Sequence, residues 1–292
     1  MATHGSAVSG LTGSLKEKLY TGPIRRVLRK LGVGRLLGAA RALRAVGYRA
    51  RLRMVPETNL SIRVGAWTAT FRTSSSLERE EIASLGHEGR LLRRVIREVR
   101  EGDVVFDIGT SLGLYTVFFA KATGPTGRVV GFEPEARTHR RVQESLGLNS
   151  LPWATVFDVA LGCREGRAVL AVDERLGSGV HRIVNDSTPV QVQRVQEVRV
   201  VAGDEFIVEK RLPPPNVIKV DVEGMEEEVL LGLRRTLSGA GCRAVFCEVH
   251  FSILEQRGRR DAPRRIVALL RESGLANIEW PDHSHFIASR PV

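Results

Sequence analysis

The sequence predicts an α/β protein with a doubly wound, mostly parallel β-sheet and a C-terminal antiparallel hairpin. From Gly102 onward, short apolar runs alternate with segments of helical periodicity, and strands that are apolar throughout are typical of a parallel sheet covered by helices on both faces. A glycine turn directly follows the first of these strands, and a carboxylate stands at the end of each of the first three. These observations predict a ligand site at the carboxyl edge of the sheet.

Residues 1–56 differ from the rest of the chain in charge. The net charge is +11, and the segment from Gly22 to Pro56 contains ten basic residues and no acidic one. The first 21 residues or so, rich in Gly, Ser and Thr, predict a flexible leader. The basic segment alternates apolar and basic residues at helical spacing, which predicts an amphipathic helix. Such a helix could dock on an anionic membrane or on nucleic acid, or pack on its own domain or on a second subunit of a homodimer.

Residues 57–101 predict a β-hairpin followed by a bracing helix. Alternating apolar residues between Leu60 and Phe71 indicate two short strands that turn at Gly65. The helix is expected from Ser76, its N-cap, to about Arg100, with acidic residues in its first turn.

Residues 102–292 predict the main domain, interrupted by an insertion of extra strands around residues 166–206. The expected strands are Asp103–Ile108, Arg128–Phe132, Thr155–Val159, Val217–Val222 and Ala244–Val249. The expected helices are Leu112–Lys121, Glu135–Leu146, Glu223–Leu237 and Pro263–Ser273. The closing hairpin is expected from Ala276–Trp280 and His285–Ser289.

Composition excludes several classes of protein. The three cysteines have no metal-binding spacing, no apolar run is long enough to span a membrane, and no secretory signal is visible. The cytoplasm is therefore the expected location, with peripheral attachment to a membrane as an alternative. Because the chain after residue 56 is nearly neutral, its main domain is not expected to bind nucleic acid.

The glycine turn runs from Gly109 to Gly113. Its glycines would let the backbone approach a ligand closely at the edge of the sheet. The spacing does not match the GxGxxG pattern of dinucleotide folds. Asp107, two residues before the first glycine, suits a cationic amino-acid group better than a pyrophosphate. The alternative is that these residues only shape the turn.

Two further strands end in carboxylates. Glu133 follows the second strand and is suited to accept both hydroxyls of a ribose. Asp158 and Val159 end the third strand, where a carboxylate could bind an adenine amino group and an aliphatic side chain could cover the ring. The alternative for each acid is a helix N-cap.

A second set of polar residues ends the next two strands. In an extended strand Lys219, Asp221 and Glu223 would project to one face. One strand later, Glu248 and His250 share a face in the same way. If these strands are neighbours, their titratable groups converge at one edge, as acid/base sites require.

Five blocks of sequence carry a resemblance that covers residues 102–250. They are DIGTSLGLYT, GFEPE, VALG, VIKVDVEGMEEEVLLG and EVH. In order and spacing they are similar to the FkbM-like family of S-adenosylmethionine-dependent methyltransferases. The resemblance implies a class I methyltransferase fold with a seven-stranded sheet. It also implies O-methylation of a hydroxyl on a sugar, lipid or secondary metabolite.

The resemblance also implies roles for individual residues. Asp107, Gly109 and Gly113 would hold the amino-acid end of the cofactor, and Glu133 its ribose. Asp158 and Val159 would bind the adenine. Ser111 stands where relatives usually have asparagine and could replace it as a hydrogen-bond donor or acceptor.

Methylation of a hydroxyl requires a group that accepts its proton. The candidates are Asp221, His250 and Glu223, with Asp221 or His250 preferred. The alternative role for Glu223 is to stabilise the N-terminus of the helix that follows. A divalent metal held by these three residues and Glu248 is a less favoured alternative. Two other functions remain open: an RNA methyltransferase or nucleic-acid-binding protein that uses the basic segment, and a non-catalytic protein of the membrane surface.

Overall fold

The computed structural model describes residues 54–85, 88–172, 181–183 and 194–291. The predicted leader and the basic segment as far as residue 53 lie outside the described residues. Residues 54–56, which the sequence assigns to that segment, begin a strand instead. Within the described ranges, no helix combines the length and apolar character needed to cross a membrane.

The N-terminal described elements are a hairpin and two helices. Strands β1 (Met54–Val64) and β2 (Trp67–Ser75) pair antiparallel. Helices α1 (Ser76–Ala83) and α2 (Gly89–Glu98) follow. The expectation of one helix from Ser76 to Arg100 was wrong, because the chain leaves the helical conformation at Leu85, which has φ of +58°. The N-cap is Ser75, whose hydroxyl accepts a hydrogen bond from the amide of Glu78.

The remaining elements follow in chain order. The first group is β3 (Val104–Ile108), α3 (Leu114–Thr123), β4 (Arg128–Phe132), α4 (Ala136–Leu148), β5 (Ala154–Phe157), β6 (Ala160–Gly162), β7 (Gly166–Val172), β8 (His181–Ile183) and β9 (Arg194–Ala202). The second group is α5 (Gly203–Glu209), β10 (Val217–Val220), α6 (Glu226–Gly232), α7 (Arg234–Ser238), β11 (Ala244–Glu248), α8 (Phe251–Gln256), α9 (Ala262–Glu272), β12 (Asn277–Glu279) and β13 (His285–Ser289).

The central sheet has seven strands in the order β12-β13-β11-β10-β3-β4-β5. The strands from β11 to β5 are parallel, and β13 pairs antiparallel with both β11 and β12. This arrangement confirms the predicted α/β class, the parallel sheet and the closing antiparallel hairpin. Strands β7, β8 and β9 of the insertion form a second sheet together with β6, in the order β6-β9-β7-β8.

Alternate residues of each central strand enter different apolar clusters. Phe106 and Ile218 belong to the cluster covered by α5 to α9. Val105 and Val217 belong to the cluster covered by the hairpin and α1 to α4. The sheet is therefore buried on both faces, and the hairpin shares one of its two cores.

The helix expected at Glu223–Leu237 was wrong in its bounds, because two short helices, α6 and α7, occupy this region. A Cβ on Gly232, the last residue of α6, would lie 1.9 Å from the carbonyl oxygen of Gly162. This close approach to β6 leaves room only for glycine where the helix ends.

Candidate active site

A cavity of about 280 Å³ opens at the carboxyl edge of the central sheet. Segments that follow five strands contribute to its wall. They are Gly109–Leu112 after β3, Glu133 and Pro134 after β4, Val159–Leu161 after β5, Asp221–Glu223 after β10, and His250 after β11. The position agrees with the general rule that open α/β sheets bind ligands beyond the carboxyl ends of their strands.

The turn after β3 contains two glycines with left-handed φ. Gly109 has φ of +82°, and a Cβ there would lie 1.8 Å from the backbone oxygen of Asp221. Its amide donates to the carbonyl of Phe132 at 3.0 Å. Gly113, with φ of +81°, is the N-cap of α3. The first glycine therefore joins the turn to the segments after β10 and β4.

Glu133 is buried in the wall and 4% exposed. Its two oxygens accept hydrogen bonds from the amides of Ser111 and Glu135, each at 3.0 Å. Burial raises the pKa of Glu133 to about 8, although these two amides oppose the shift. Each carboxylate oxygen has a second acceptor position, so the side chain can also bind ribose hydroxyls.

Asp107 is fully buried and is not part of the cavity wall. Its Oδ2 accepts from the Thr116 hydroxyl at 2.6 Å, and its Oδ1 lies 3.5 Å from Lys219 Nζ. Burial raises the pKa of Asp107 against the opposing charge of Lys219. This carboxylate therefore acts on the wall through the lysine.

Lys219 connects that buried acid to the cavity. Its Nζ lies 3.3 Å from Asp221 Oδ2 and donates to the carbonyl of Gly109 at 3.2 Å. Burial alone would lower the pKa of Lys219, but the carboxylates of Asp221 and Asp107 outweigh burial and raise it. The lysine thus places a positive charge in the wall of the cavity.

The two residues predicted to bind adenine lie in different environments. Val159 is 5% exposed and lines the cavity. Asp158 is exposed and is not part of the wall. The strand ends at Phe157, one residue before the acid, and the chain then turns into β6.

His250 lies among four carboxylates. Its Nδ1 is 2.6 Å from Glu226 Oε1. Its Nε2 is 3.6 Å from Glu223 Oε1 and 3.8 Å from both Asp221 Oδ1 and Glu248 Oε1. Burial would lower the pKa of His250, but the hydrogen bond to Glu226 and the surrounding carboxylates raise it to about 9.

The expected strand alternation through Glu223 was wrong, because β10 ends at Val220. Glu223 has φ of +52° and Gly224 φ of +90°, so the chain turns before α6 begins. Glu223 therefore lies outside the helix it was expected to open. The turn nevertheless brings its carboxylate to the same imidazole as Asp221.

Several residues at this edge of the sheet were not predicted from the sequence. His285 Nε2 lies 3.4 Å from Glu88 Oε1 and 3.5 Å from Glu248 Oε2, and its Nδ1 lies 3.0 Å from Asp282. The Tyr115 hydroxyl donates to Glu88 at 3.0 Å. The strand register pairs His285 with Glu248. The signal in the sequence was a histidine at the start of the last predicted strand, but the sequence does not give the register.

Two groups of three residues have ligand atoms close enough to hold a metal ion. They are Asp221, Glu248 and His250, and Glu88, Glu248 and His285, with the atoms of each group within 4.8 Å of one another. Both groups share Glu248. The same carboxylates already face positive charge from Lys219 and from two histidines whose pKa values are raised.

The wall suits S-adenosylmethionine, the cofactor that the sequence resemblance implies. It combines a buried carboxylate at Glu133 with apolar groups such as Phe132 and Val159, as a nucleoside requires. The hydroxyl oxygen of Thr110 lies in this wall, buried and without a hydrogen-bond partner among the described residues. A polar ligand in the cavity could satisfy it.

Comparison with known proteins identifies relatives. The chain is 27% identical over 215 residues to the hexuronic acid methyltransferase AglP of Haloferax volcanii, which covers 73% of this chain and 80% of that protein. It is 28% identical over 235 residues to the AMB antimetabolite synthetase AmbE of Pseudomonas aeruginosa, which covers 64% of this chain and 10% of that protein.

Solved structures match the chain at low similarity. The precorrin-6y C5,15-methyltransferase of Geobacter metallireducens is 12% identical with a TM-score of 0.42, over 70% of this chain and 89% of that one. A SAM-dependent O-methyltransferase of Thermotoga maritima is 14% identical with a TM-score of 0.41, over 79% and 77% of the two chains.

The family assignment rests on the sequence match. The sequence model of the family described as the methyltransferase FkbM domain matches residues 107–275, which is more than half of the 292-residue chain. This range includes the glycine turn, Glu133, Asp221 and His250. The chain therefore belongs to the FkbM family of methyltransferases.

Proposed function

We propose that the protein transfers the methyl group of S-adenosylmethionine to a hydroxyl group of a sugar or a similar polyol. The observation that carries this proposal is one cavity lined both by Glu133 and Val159 and by Asp221, Glu223 and His250. The sugar acceptor is supported by the name of the relative AglP, a hexuronic acid methyltransferase.

In this proposal the cofactor binds along the wall formed after β3, β4 and β5. Glu133 would accept the ribose hydroxyls, and Val159 would cover the adenine. The Gly109 turn would hold the amino-acid end through its backbone and Ser111, with Gly113 fixing the end of the turn. Asp107 would act indirectly, through Lys219. Asp158, exposed and outside the cavity wall, is not assigned a contact with the base.

When bound, the cofactor supplies an activated methyl group and a neutral thioether leaving group. The chain contributes placement, because an in-line displacement depends on holding the acceptor oxygen in line with the methyl group in a dry site. The buried side chains of Phe132 and Leu161 help to exclude water from this part of the wall.

The chain would also remove the proton of the acceptor hydroxyl. His250 and Asp221 are the candidates. His250 can accept the proton only in its neutral form, which predominates above its pKa of about 9, and its Nε2 lies 3.6 Å or more from the carboxylate oxygens around it. Those distances exceed ordinary hydrogen-bond lengths. Glu223 would then stabilise the positive imidazolium and need not accept the proton itself.

The first test is calorimetry with S-adenosylmethionine and its demethylated product. Both should bind, and Glu133→Gln should weaken both about 5- to 150-fold, as expected when hydrogen bonds worth about 1–3 kcal/mol are lost. Glu272→Gln, which changes a carboxylate that is 62% exposed on α9, is the matched control. Folded wild-type protein that gives no heat with either ligand would contradict the proposal.

The second test identifies the acceptor group. A panel of sugars and glycosides is incubated with cofactor carrying a labelled methyl group, and the products are treated with alkali. A methyl ether formed on a hydroxyl survives this treatment, whereas a methyl ester formed on a carboxylate is hydrolysed. Label that remains after alkali supports hydroxyl methylation, and label that is released identifies a carboxylate acceptor instead.

A further inference from the structure

Glu226 is a fully buried acid that has no role in the mechanism proposed above. Its Oε1 lies 2.6 Å from His250 Nδ1 and accepts the amide of Gly224 at 2.8 Å. Its Oε2 is buried without a hydrogen-bond partner among the described residues. A first-turn acid that served only the helix dipole would not need to be buried against a histidine.

The hydrogen bond determines which histidine nitrogen carries the proton. A carboxylate accepts but cannot donate, so the neutral His250 ring must keep its hydrogen on Nδ1. The lone pair is then on Nε2, the atom that faces Asp221, Glu223 and Glu248. These three carboxylates are the other charged groups facing the ring, and none is within ordinary hydrogen-bond distance of it.

The carboxylate itself is held firmly in place. The amide that binds it belongs to Gly224, which packs tightly against α8. A Cβ on Gly224 would lie 2.7 Å from the Ile253 side chain. Arg257, also near α8, donates to the Gly224 carbonyl at 3.0 Å. Since His250 is the N-cap of the same helix, the turn and the histidine are fixed to one element.

We propose that Glu226 is the positioning residue of the active site, which holds His250 with its proton on Nδ1 and Nε2 turned to the acceptor. This inference rests on the proposed function, because it assigns the purpose of the orientation to proton transfer from the acceptor hydroxyl. A buried oxygen left without a partner lowers stability. Its presence is consistent with selection for orientation of the ring.

The test uses Glu226→Gln, which keeps the size of the side chain but can both donate and accept. NMR of protein labelled with ¹⁵N at its histidines reports which ring nitrogen carries the proton. The His250 signals are identified as those missing from the spectrum of His250→Ala. Above the pKa of the ring, wild-type His250 should be protonated at Nδ1, and Glu226→Gln should give a mixture of both forms. Measured at the same pH, above the pKa of the ring, turnover should fall about 10²–10⁴-fold with cofactor affinity within twofold, because general base catalysis contributes that much.

The control is Glu227→Gln, since the neighbouring acid pairs with Arg259 and Arg265 and does not contact the histidine. It should leave the His250 signals unchanged. The inference is overturned if Glu226→Gln retains wild-type turnover, or if it lowers turnover equally in a His250→Ala background, which indicates a structural role.

Two further results keep the tests separate. If Glu226→Gln does not fold, the wild-type spectrum decides, since a neutral His250 protonated at Nε2 overturns the inference without any variant. If wild-type protein transfers no methyl group and binds no cofactor, the proposed function fails. The inference about Glu226 falls with it, even where the spectrum shows Nδ1 protonated.

Discussion

Glu133 occupies an environment that opposes its own ionisation. Its folded pKa of about 8 is above the ordinary value of 4.5, because burial penalises the charge. Between these values the folded state binds more protons than the unfolded state. The contribution of Glu133 to stability is therefore fully present below pH 4.5 and is lost as the pH rises through about 8.

We expect Glu133→Gln to flatten this pH dependence. Chemical denaturation at intervals from pH 5 to pH 9 should show a smaller loss in free energy of unfolding for the variant than for wild type. Glu272→Gln, an exposed substitution, should follow the wild-type curve. An unchanged slope in Glu133→Gln would mean that the buried carboxyl is solvated in solution.

Chelators test whether the carboxylates around Glu248 work with a metal. We expect EDTA to leave the rate of methyl transfer unchanged, because a base that takes the proton of the acceptor hydroxyl directly needs no metal. If EDTA abolishes turnover and a divalent ion restores it, the alternative of a metal site, which the sequence left open, is correct. In that case Glu248→Gln should be as damaging as Asp221→Asn.

At the scale of elements, the glycine turn and the segment after β10 form one contact. Gly109→Ala would place a methyl group 1.8 Å from the backbone oxygen of Asp221 at a left-handed φ. We expect a stability loss of more than about 1 kcal/mol together with weaker cofactor binding, measured by denaturation and calorimetry.

Gly147→Ala is the matched control for that substitution. Gly147 lies in α4, and a Cβ there would have no atom within 4 Å. Alanine should stabilise this helix by about 0.5–1 kcal/mol and leave cofactor binding unchanged. Equal effects of the two substitutions would show that the contact between the turn and Asp221 is unimportant.

Sequence patterns predicted the parallel strands well, because strands such as β3 and β10 are short apolar runs with no competing interpretation. They failed where tertiary contacts decide the ends of elements. The break at Gly232 depends on the approach of β6, a contact between residues distant in sequence. Periodicity could not reveal it.

The candidate site was predicted in part for the same reason. Asp221 and His250 stand at the ends of strands that were recognised, and neighbouring parallel strands bring such ends together. His285 and Glu88 depend on strand register and on the position of the hairpin and bracing helices. Glu226 lies near the start of the helix expected at Glu223–Leu237 and could not be linked to His250, since the sequence does not show which way a side chain points.

At the scale of the whole molecule, the sequence separates a basic N-terminal segment from a nearly neutral remainder. We expect protein lacking residues 1–53 to bind the cofactor as tightly as the full chain and to lose binding to anionic vesicles. Flotation with vesicles containing phosphatidylserine, compared with neutral vesicles, measures this. Because β1 begins at Met54, the deletion leaves the hairpin intact.

Two other results of that experiment would change the interpretation. Truncated protein that unfolds or aggregates would show that the segment packs on its own domain or on a second subunit. Loss of binding to nucleic acid, with a strong dependence on salt, would support the alternative of a nucleic-acid partner.

The position of β13 between β11 and β12 has a consequence for biosynthesis. The ribosome completes the glycine turn and Glu133 long before it reaches His285, which pairs with Glu248 across the sheet. Because β13 places Phe286 and Ala288 in one core and Ile287 in the other, neither core is complete until the last strand has been synthesised. Products of premature termination before β13 would therefore leave apolar surface of both cores exposed.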